Sequence, residues 1–390
     1  MASSLIGFCG RCEERVPVER VVRDGKVYLR KSCPSCGPSE TLISSDADEW
    51  RLKREIWQEE CDDVEACSFN CPQCGESRQP KIVFIDVTNR CNMNCPICIA
   101  NIRGMGFTFE PPLEYFETIF KELQKFSPTP IVELFGGEPT VRKDLLDIIS
   151  TGRRYGIKCR VVTNGVRLAD EEYCRMLCSE GVRFRFGLDG RDPEIYQRLR
   201  RNGSACEKKL QGLANLKKYS RRKHAIMSCI ACGINEDAVA DLIECCHEHA
   251  GLIDTIGLIP LTENWEPGTF EADQHTTRED VEHLVKAAIP GDEVDFVPAG
   301  IVHYLTPARM FFRERSHSDV LMLGGVHPDC ESMTVLVSDG QRYRSANWYF
   351  RLPLRTVAGE VLQTSRRIAP KLERLDRRKW FDRWRGRLLV

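Results

Sequence analysis

Cys91, Cys95 and Cys98 stand in the stretch C-N-M-N-C-P-I-C, directly after the apolar run 82–87. That run reads as a strand, so three thiols share one loop at a strand's C-terminal end, where α/β proteins place their chemistry. As thiolates they can hold three corners of a [4Fe–4S] cube. The fourth iron is then open to a small chelating ligand, as a three-ligand zinc site keeps one position open. A structural zinc knuckle is the plainer reading of the same spacing. A second apolar run, 131–135, leads into Gly136, Gly137, Glu138 and Pro139. Glycines there would let backbone approach a ligand closely, and the Glu138 carboxylate would favour an ammonium group.

Other cysteines form further candidate metal sites. Cys9 with Cys12, and Cys33 with Cys36, are two C-x2-C knuckles joined by a hairpin whose turn signal is Asp24-Gly25. Together they make a four-thiolate tetrahedral site for zinc or for one mononuclear, rubredoxin-like iron. Cys67, Cys71 and Cys74 repeat the C-x3-C-x2-C spacing with no strand leading in. They read as three ligands of an auxiliary [4Fe–4S] cluster, with the fourth from Cys61 nearby or Cys330 far away; a second zinc site using Cys61 competes. Cys159, Cys174, Cys178, Cys206, Cys229, Cys232, Cys245 and Cys246 read mostly as small buried hydrophobes, and His247 and His249 as a polar helix end.

The elements that must position these groups alternate strand and helix. Strands are predicted over 81–88, 131–135, 158–163, 183–188, 224–231 and 253–259, with helices over 113–126, 144–155, 170–179, 207–219 and 236–249. Six such units imply parallel strands covered by helices. Asn164, Asp189 and Asn235 follow the third, fourth and fifth strands, placed to meet a cofactor or to form turns. Thr277 with Asp280 looks like a helix-capping pair. The chain divides into a four-cysteine metal module (1–45), a linker carrying the auxiliary cysteines and a helix over 46–60 (46–80), the α/β region (81–290), a C-terminal extension expected to cap it (291–365) and a basic tail (366–390).

Bulk composition narrows the class. A net charge of −1 gives no electrostatic footprint for nucleic acid. No apolar stretch approaches the roughly 20 residues of a membrane span. Twenty cysteines without a secretory segment point to metal ligation in a reducing, cytoplasmic setting. The basic tail carries Trp380 and Trp384 among its arginines and lysines, which suits peripheral contact with an anionic membrane face as well as a solvated tail or a packed helix.

The cysteine loop after the first strand and G-G-E-P after the second resemble the radical S-adenosylmethionine (SAM) superfamily. The resemblance implies a partial (β/α)6 TIM-like barrel with substrate at its open side. It implies that the open iron binds the amino and carboxylate groups of SAM, that Gly136, Gly137 and Glu138 hold the methionine amino group, and that Asn164, Asp189 and Asn235 contact the ribose, the carboxylate or the substrate. A reductant such as ferredoxin or flavodoxin would feed the cluster, and cleavage of SAM would give a 5′-deoxyadenosyl radical that takes hydrogen from an unactivated C–H bond. The segments D-V-T-N-R-C-N-M-N-C-P-I-C-I-A, F-G-G-E-P-T-V-R-K-D-L, V-T-N-G-V-R-L-A and H-P-D-C resemble the branch of archaeal tetraether lipid synthases and their bacterial relatives. That branch implies C–C bond formation between lipid alkyl chains. The alternative is radical C-methylation of a dihydropterin, or modification of another small molecule or peptide; a non-catalytic iron–sulfur or zinc protein is the third. Two departures stand out. Cys36 occupies a position where that branch has histidine, and no cysteine precedes His327-Pro-Asp-Cys330 closely, so a single auxiliary cluster is expected.

Overall fold

The computed structural model describes residues 5–57, 80–126, 129–263, 268–305 and 326–375. Cys61, Cys67, Cys71 and Cys74, and the tail from 376, lie outside the described residues. The chain divides into two compact units, one of residues 1–69 and 277–390, the other of residues 70–276.

The first unit begins with an antiparallel meander of β1 (Leu5–Phe8), β2 (Arg15–Arg23), β3 (Lys26–Cys33) and β4 (Gly37–Ser44). Asp24 and Gly25 both take positive φ, 51° and 69°, as a two-residue hairpin turn of the primed type requires; Arg23 and Lys26 pair across it. Asp46 then caps α1 (Ala47–Trp57), accepting the backbone N–H groups of Asp48 and Glu49 at 3.0 Å. In α8 (Arg278–Ala288) Thr277 and Asp280 form the expected reciprocal capping box. Helix α1 is tied to α8 by Lys53, fully buried, whose ammonium reaches Glu279 at 2.8 Å and Glu282 at 2.6 Å. Short β11 (Val297–Pro298) pairs with β12 (Ser332–Met333), and β13 (Leu336–Ser338) with β14 (Tyr343–Ser345). They lead to α9 (Ala346–Phe350) and α10 (Leu354–Glu373). The sequence reading did not single out α10; Leu354, Ala358 and Leu362 pack its apolar stripe on Val297, Ile301 and Val302.

The second unit is the α/β region. Strands β5 (Ile82–Thr88), β6 (Ile131–Gly136), β7 (Lys158–Thr163), β8 (Arg183–Gly187), β9 (His224–Ile230) and β10 (Ile253–Pro260) form one parallel sheet in chain order, with β5 and β10 at its edges. Right-handed crossovers are the rule for such units. They run through α2 (Leu113–Leu123), α3 (Leu145–Arg154), α4 (Glu171–Ser179), α5 (Pro193–Arg200) with α6 (Ala205–Tyr219), and α7 (Ala238–Glu248). One pleat of the sheet carries Val132, Leu134, Val161, Phe184, Phe186 and Ile226, all at most 1 % exposed. The alternate pleat carries Glu133, Arg160 and Arg185, linked by ion pairs. Burying one apolar face against helices fixes the register. The predicted strands agree with those observed to within a residue or so. Helix α5 was missed because its eight residues are short and mostly polar.

Candidate active site

The cysteine loop begins where β5 ends, and the G-G-E-P segment lies directly on its entry. Gly136 has φ +116°; a Cβ there would sit 2.3 Å from the Thr88 carbonyl oxygen, and one on Gly137 2.2 Å from that of Arg90. Only glycine fits such an approach. Gly137 N–H donates to Thr88 O at 2.6 Å and Glu138 N–H to Arg90 O at 2.9 Å. The close approach these glycines allow is thus to the backbone that launches Cys91. Arg90 and Thr88 are held in turn by Glu110, at 2.6 and 2.8 Å.

Glu138 is 1 % exposed. It accepts from the Thr140 N–H (3.0 Å) and hydroxyl (2.6 Å), the Thr163 hydroxyl (2.7 Å) and the Asn164 N–H (2.7 Å). Burial pushes its carboxyl upward against the pull of those donors. The carboxylate thereby joins the ends of β6 and β7. Asn164, so fixed, donates its side-chain amide to Asn92 Oδ1 at 2.7 Å and lies 3.9 Å from Cys91 Sγ.

Asp189 and Asn235 join the next strand ends. Asp189 is buried and takes both arms of the Arg200 guanidinium at 2.9 Å, together with the Cys229 N–H at 3.0 Å. Burial would raise its carboxyl, but Arg200 and then Lys209 outweigh it and hold it below the usual range. Asn235 donates to the carbonyls of Asp189 (3.0 Å) and Cys229 (2.8 Å) and accepts from Ala231 N–H (2.8 Å). These contacts use both its donors, which makes it a staple between β8 and β9. Lys209, 2 % exposed, donates to Gly187 O at 2.7 Å, and burial depresses its pKa.

Cys91, Cys95 and Cys98 are each half-buried. Together with Arg201 and Asn202, which follow α5, they line a cavity of about 430 Å³, within the size range of small-molecule sites. Their sulfurs do not all come within 4.8 Å of one another, wider than a single tetrahedral ion needs. Burial pushes the Cys91 thiol up to about 11. It raises Cys95 too, opposed by the nearby Arg200 and Lys209 cations. Metal binding would release those protons. The donor set therefore fits a cluster with three protein ligands. Sequence reasoning missed Arg200, Arg201, Asn202 and Lys209. The available signal was Asp192-Pro193, a cap followed by proline at the first helical position, where Asp192 does accept the Glu194 N–H at 2.9 Å.

The knuckle cysteines do meet. The ligand sulfurs of Cys9, Cys12, Cys33 and Cys36 all lie within 4.8 Å of one another. Arg11 N–H points to Cys9 Sγ at 3.4 Å and Cys36 N–H to Cys33 Sγ at 3.3 Å. The Arg11 and Cys12 N–H groups lower the Cys9 thiol to about 6, while its sulfur neighbours, led by Cys12, push Cys36 up to about 12. Four thiolates this close need a cation among them. A further group, Cys245, Glu248 and His249, also falls within 4.8 Å, but Arg191 already sets its guanidinium on Glu248 at 3.2 Å and on Asp241. Five of the eight remaining cysteines, Cys174, Cys178, Cys206, Cys245 and Cys246, are buried, and Cys159, Cys229 and Cys232 half-buried. Cys330 is exposed.

Comparison with known proteins matches two regions of the chain to families. The radical SAM superfamily model matches residues 85–246, and a model described as the HMPTM N-terminal zinc ribbon domain matches residues 2–45. The chain is similar to the 7,8-dihydro-6-hydroxymethylpterin dimethyltransferase of Methanocaldococcus jannaschii, 29 % identical over 272 residues, covering 67 % of this chain and 54 % of the relative. It thus spans about half the length of that relative. It is also similar to a probable GTP 3′,8-cyclase of the same organism, 28 % identical over 233 residues, covering 56 % of this chain and 76 % of the relative. Among solved structures, SuiB of Streptococcus suis bound to S-adenosylmethionine superposes with a TM-score of 0.43 at 14 % identity over 69 % of each chain. The two curated relatives, named for a pterin and for GTP, lend no support to the expectation of a tetraether lipid synthase, a lipid alkyl substrate or membrane contact. Among the described residues no helix is long and apolar enough to cross a membrane. The cysteine loop and the glycine pair that clamps it, at the C-terminal edge of the parallel sheet, lie within the residues 85–246 that match the radical SAM superfamily model, which makes this a radical SAM region with a [4Fe–4S] cluster and S-adenosylmethionine as its cofactors.

Proposed function

We propose that the chain modifies a reduced pterin by radical chemistry, most simply by C-methylation of a dihydropterin. The observation that carries this is the similarity to a dihydropterin dimethyltransferase across two thirds of the chain, with the matching ribbon module at its N-terminus. In this reading Cys91, Cys95 and Cys98 are the cluster ligands, and Asn164 steadies the loop through Asn92. Asp189, Arg200 and Lys209 place net positive charge beside Cys95, which favours its thiolate. Glu138 and Asn235 position strand ends. When bound, the cluster and SAM supply a 5′-deoxyadenosyl radical able to take hydrogen from an unactivated C–H bond. Cys67, Cys71 and Cys74 stay proposed ligands of an auxiliary cluster, with Cys61 or Cys330 as the fourth.

The test is anaerobic reconstitution with iron and sulfide, a low-potential reductant, SAM and 7,8-dihydro-6-hydroxymethylpterin. The expected result is 5′-deoxyadenosine whose formation depends on the pterin, with a methylated pterin seen by mass spectrometry. Cys95→Ala abolishes both and lowers bound iron. 5′-Deoxyadenosine that forms at the same rate with and without pterin, and no altered pterin, overturns the substrate reading. Activity surviving in Cys95→Ala overturns the cluster assignment.

A further inference from the structure

One pleat of the six-stranded sheet carries a polar and aromatic surface that the cavity beside the cysteines does not use. Parallel strands are usually apolar on both faces. Here β5 and β6 put Phe84, Asp86, Glu133 and Phe135 on one side of the sheet, while Ile85, Val87, Val132 and Leu134 are buried on the other. Phe84 and Phe135 meet edge to face, with ring centroids 5.9 Å apart at 83°, yet Phe84 remains 62 % exposed. Asp86 is directly paired with Phe135 in the sheet register. It is exposed, and among the described residues its carboxylate has no hydrogen-bond or ion-pair partner. Beneath it Glu133, fully buried, holds Arg185 at 2.8 Å and Arg160 at 3.4 Å through Oε1 and leaves Oε2 without a partner.

An exposed carboxylate beside an open aromatic pair is an arrangement of acceptor edge and apolar surface. It would be matched by a flat ring that lies on the aromatic surface and turns two parallel N–H donors to the carboxylate. A methylene chain would leave the carboxylate desolvated and unpaired, and a ligand acidic at that edge would be repelled. Fused 2-amino-4-oxopyrimidines have the required edge: N3–H with the 2-amino group in a pterin, N1–H with the 2-amino group in guanine.

We propose that Asp86 is a specificity-determining residue that receives the 2-amino-4-oxopyrimidine edge of the substrate, with Phe135 and Phe84 as the surface on which the ring rests. This rests on the pterin reading above for the occupant, and on the sheet geometry for the contact.

The experiment measures equilibrium binding to the reconstituted, SAM-loaded enzyme. Its ligands are 7,8-dihydro-6-hydroxymethylpterin, the analogue with oxygen in place of the 2-amino group, and guanosine 5′-triphosphate. Wild type, Asp86→Asn and Asp86→Ala are compared at equal iron content. The expected result is pterin binding weakened about 10- to 100-fold in Asp86→Asn, since the amide turns a donor toward a donor. The 2-oxo analogue should bind wild type as weakly as the pterin binds Asp86→Asn, and should itself be little changed by the substitution. Guanosine 5′-triphosphate binding in place of the pterin, and lost in Asp86→Asn, upholds the edge contact and overturns the pterin reading. Pterin binding and methylation that are within twofold of wild type in both variants overturn the edge contact while the pterin reading stands. A loss that is equal for the pterin and its 2-oxo analogue also overturns it, as does failure of all three ligands to bind wild type.

Discussion

At the scale of single residues, the groups that carry chemistry and those that place them have different signatures in a sequence. Three cysteines at C-x3-C-x2-C announce themselves because few other folds need that spacing. Asn164 is less distinctive, because Asn-Gly also serves plain turns. The structure separates the two uses: Asn164 Oδ1 does accept the Val166 N–H at 3.0 Å, as a turn would, but its amide faces the cysteine loop. Asn164→Asp should therefore leave the turn intact, remove the donor to Asn92 and set a carboxylate near Cys91. Groups one step removed from a metal commonly change affinity or activity by about 10- to 100-fold. The expected outcome is a fall of that size in 5′-deoxyadenosine formation together with a lower midpoint potential of the cluster, read by electron paramagnetic resonance titration. An unchanged potential would show that Asn164 acts on the turn alone.

At the scale of elements, the legible part of the fold is the part in which one face is apolar. Strands β5 to β10 were readable because alternate residues meet helices, and the helices because stripes such as Phe116, Phe120 and Leu123 of α2 recur with helical period. Helix α5 was hidden by its charge, and with it Arg200, whose value comes only from meeting Asp189, a contact that sequence separation conceals. His224 at the start of β9 shows how one buried group sets an element's pH response. Its Nδ1 accepts the Phe184 N–H at 3.1 Å, and its Nε2 lies 2.8 Å from the Ser220 hydroxyl, an arrangement that needs the neutral ring. Burial, aided by Arg183, lowers its pKa from 6.5 to about 4. Between those values the unfolded chain binds the proton more tightly. The stability contributed by the neutral ring is thus complete above about pH 6.5 and is lost as pH falls toward 4. The shift is worth about 3 kcal/mol at most. Denaturant unfolding of the wild type should lose stability on that scale across the window, while His224→Asn, weaker at pH 7, should show a flatter profile. A parallel slope in both proteins would place the titration elsewhere.

At the scale of the whole molecule, the two compact units each carry their own candidate metal chemistry. Residues 70–276 contain the cysteine loop and residues 1–69 the knuckles. The four knuckle sulfurs draw within one ion's reach, and the three loop sulfurs do not, so the two sites should select different metals: one closed tetrahedral centre for a single ion, one open site for a cluster. At the knuckle end the ribbon's buried cluster is Val16 packed with Cys9 and Cys33, with Cys36 alongside, while Val18 and Val27 are buried further along the strands; the knuckle end has little apolar burial of its own to order it without its metal. Cys33→Ser should then remove one equivalent of zinc, measured by elemental analysis of the purified protein, and leave iron content and cluster absorbance unchanged. Hydrogen exchange should rise across 5–44 and stay near wild type across the six parallel strands. Iron lost in proportion to zinc would mean that the cluster depends on an intact ribbon, and iron in place of zinc at the knuckles would make the ribbon a redox centre rather than a structural one.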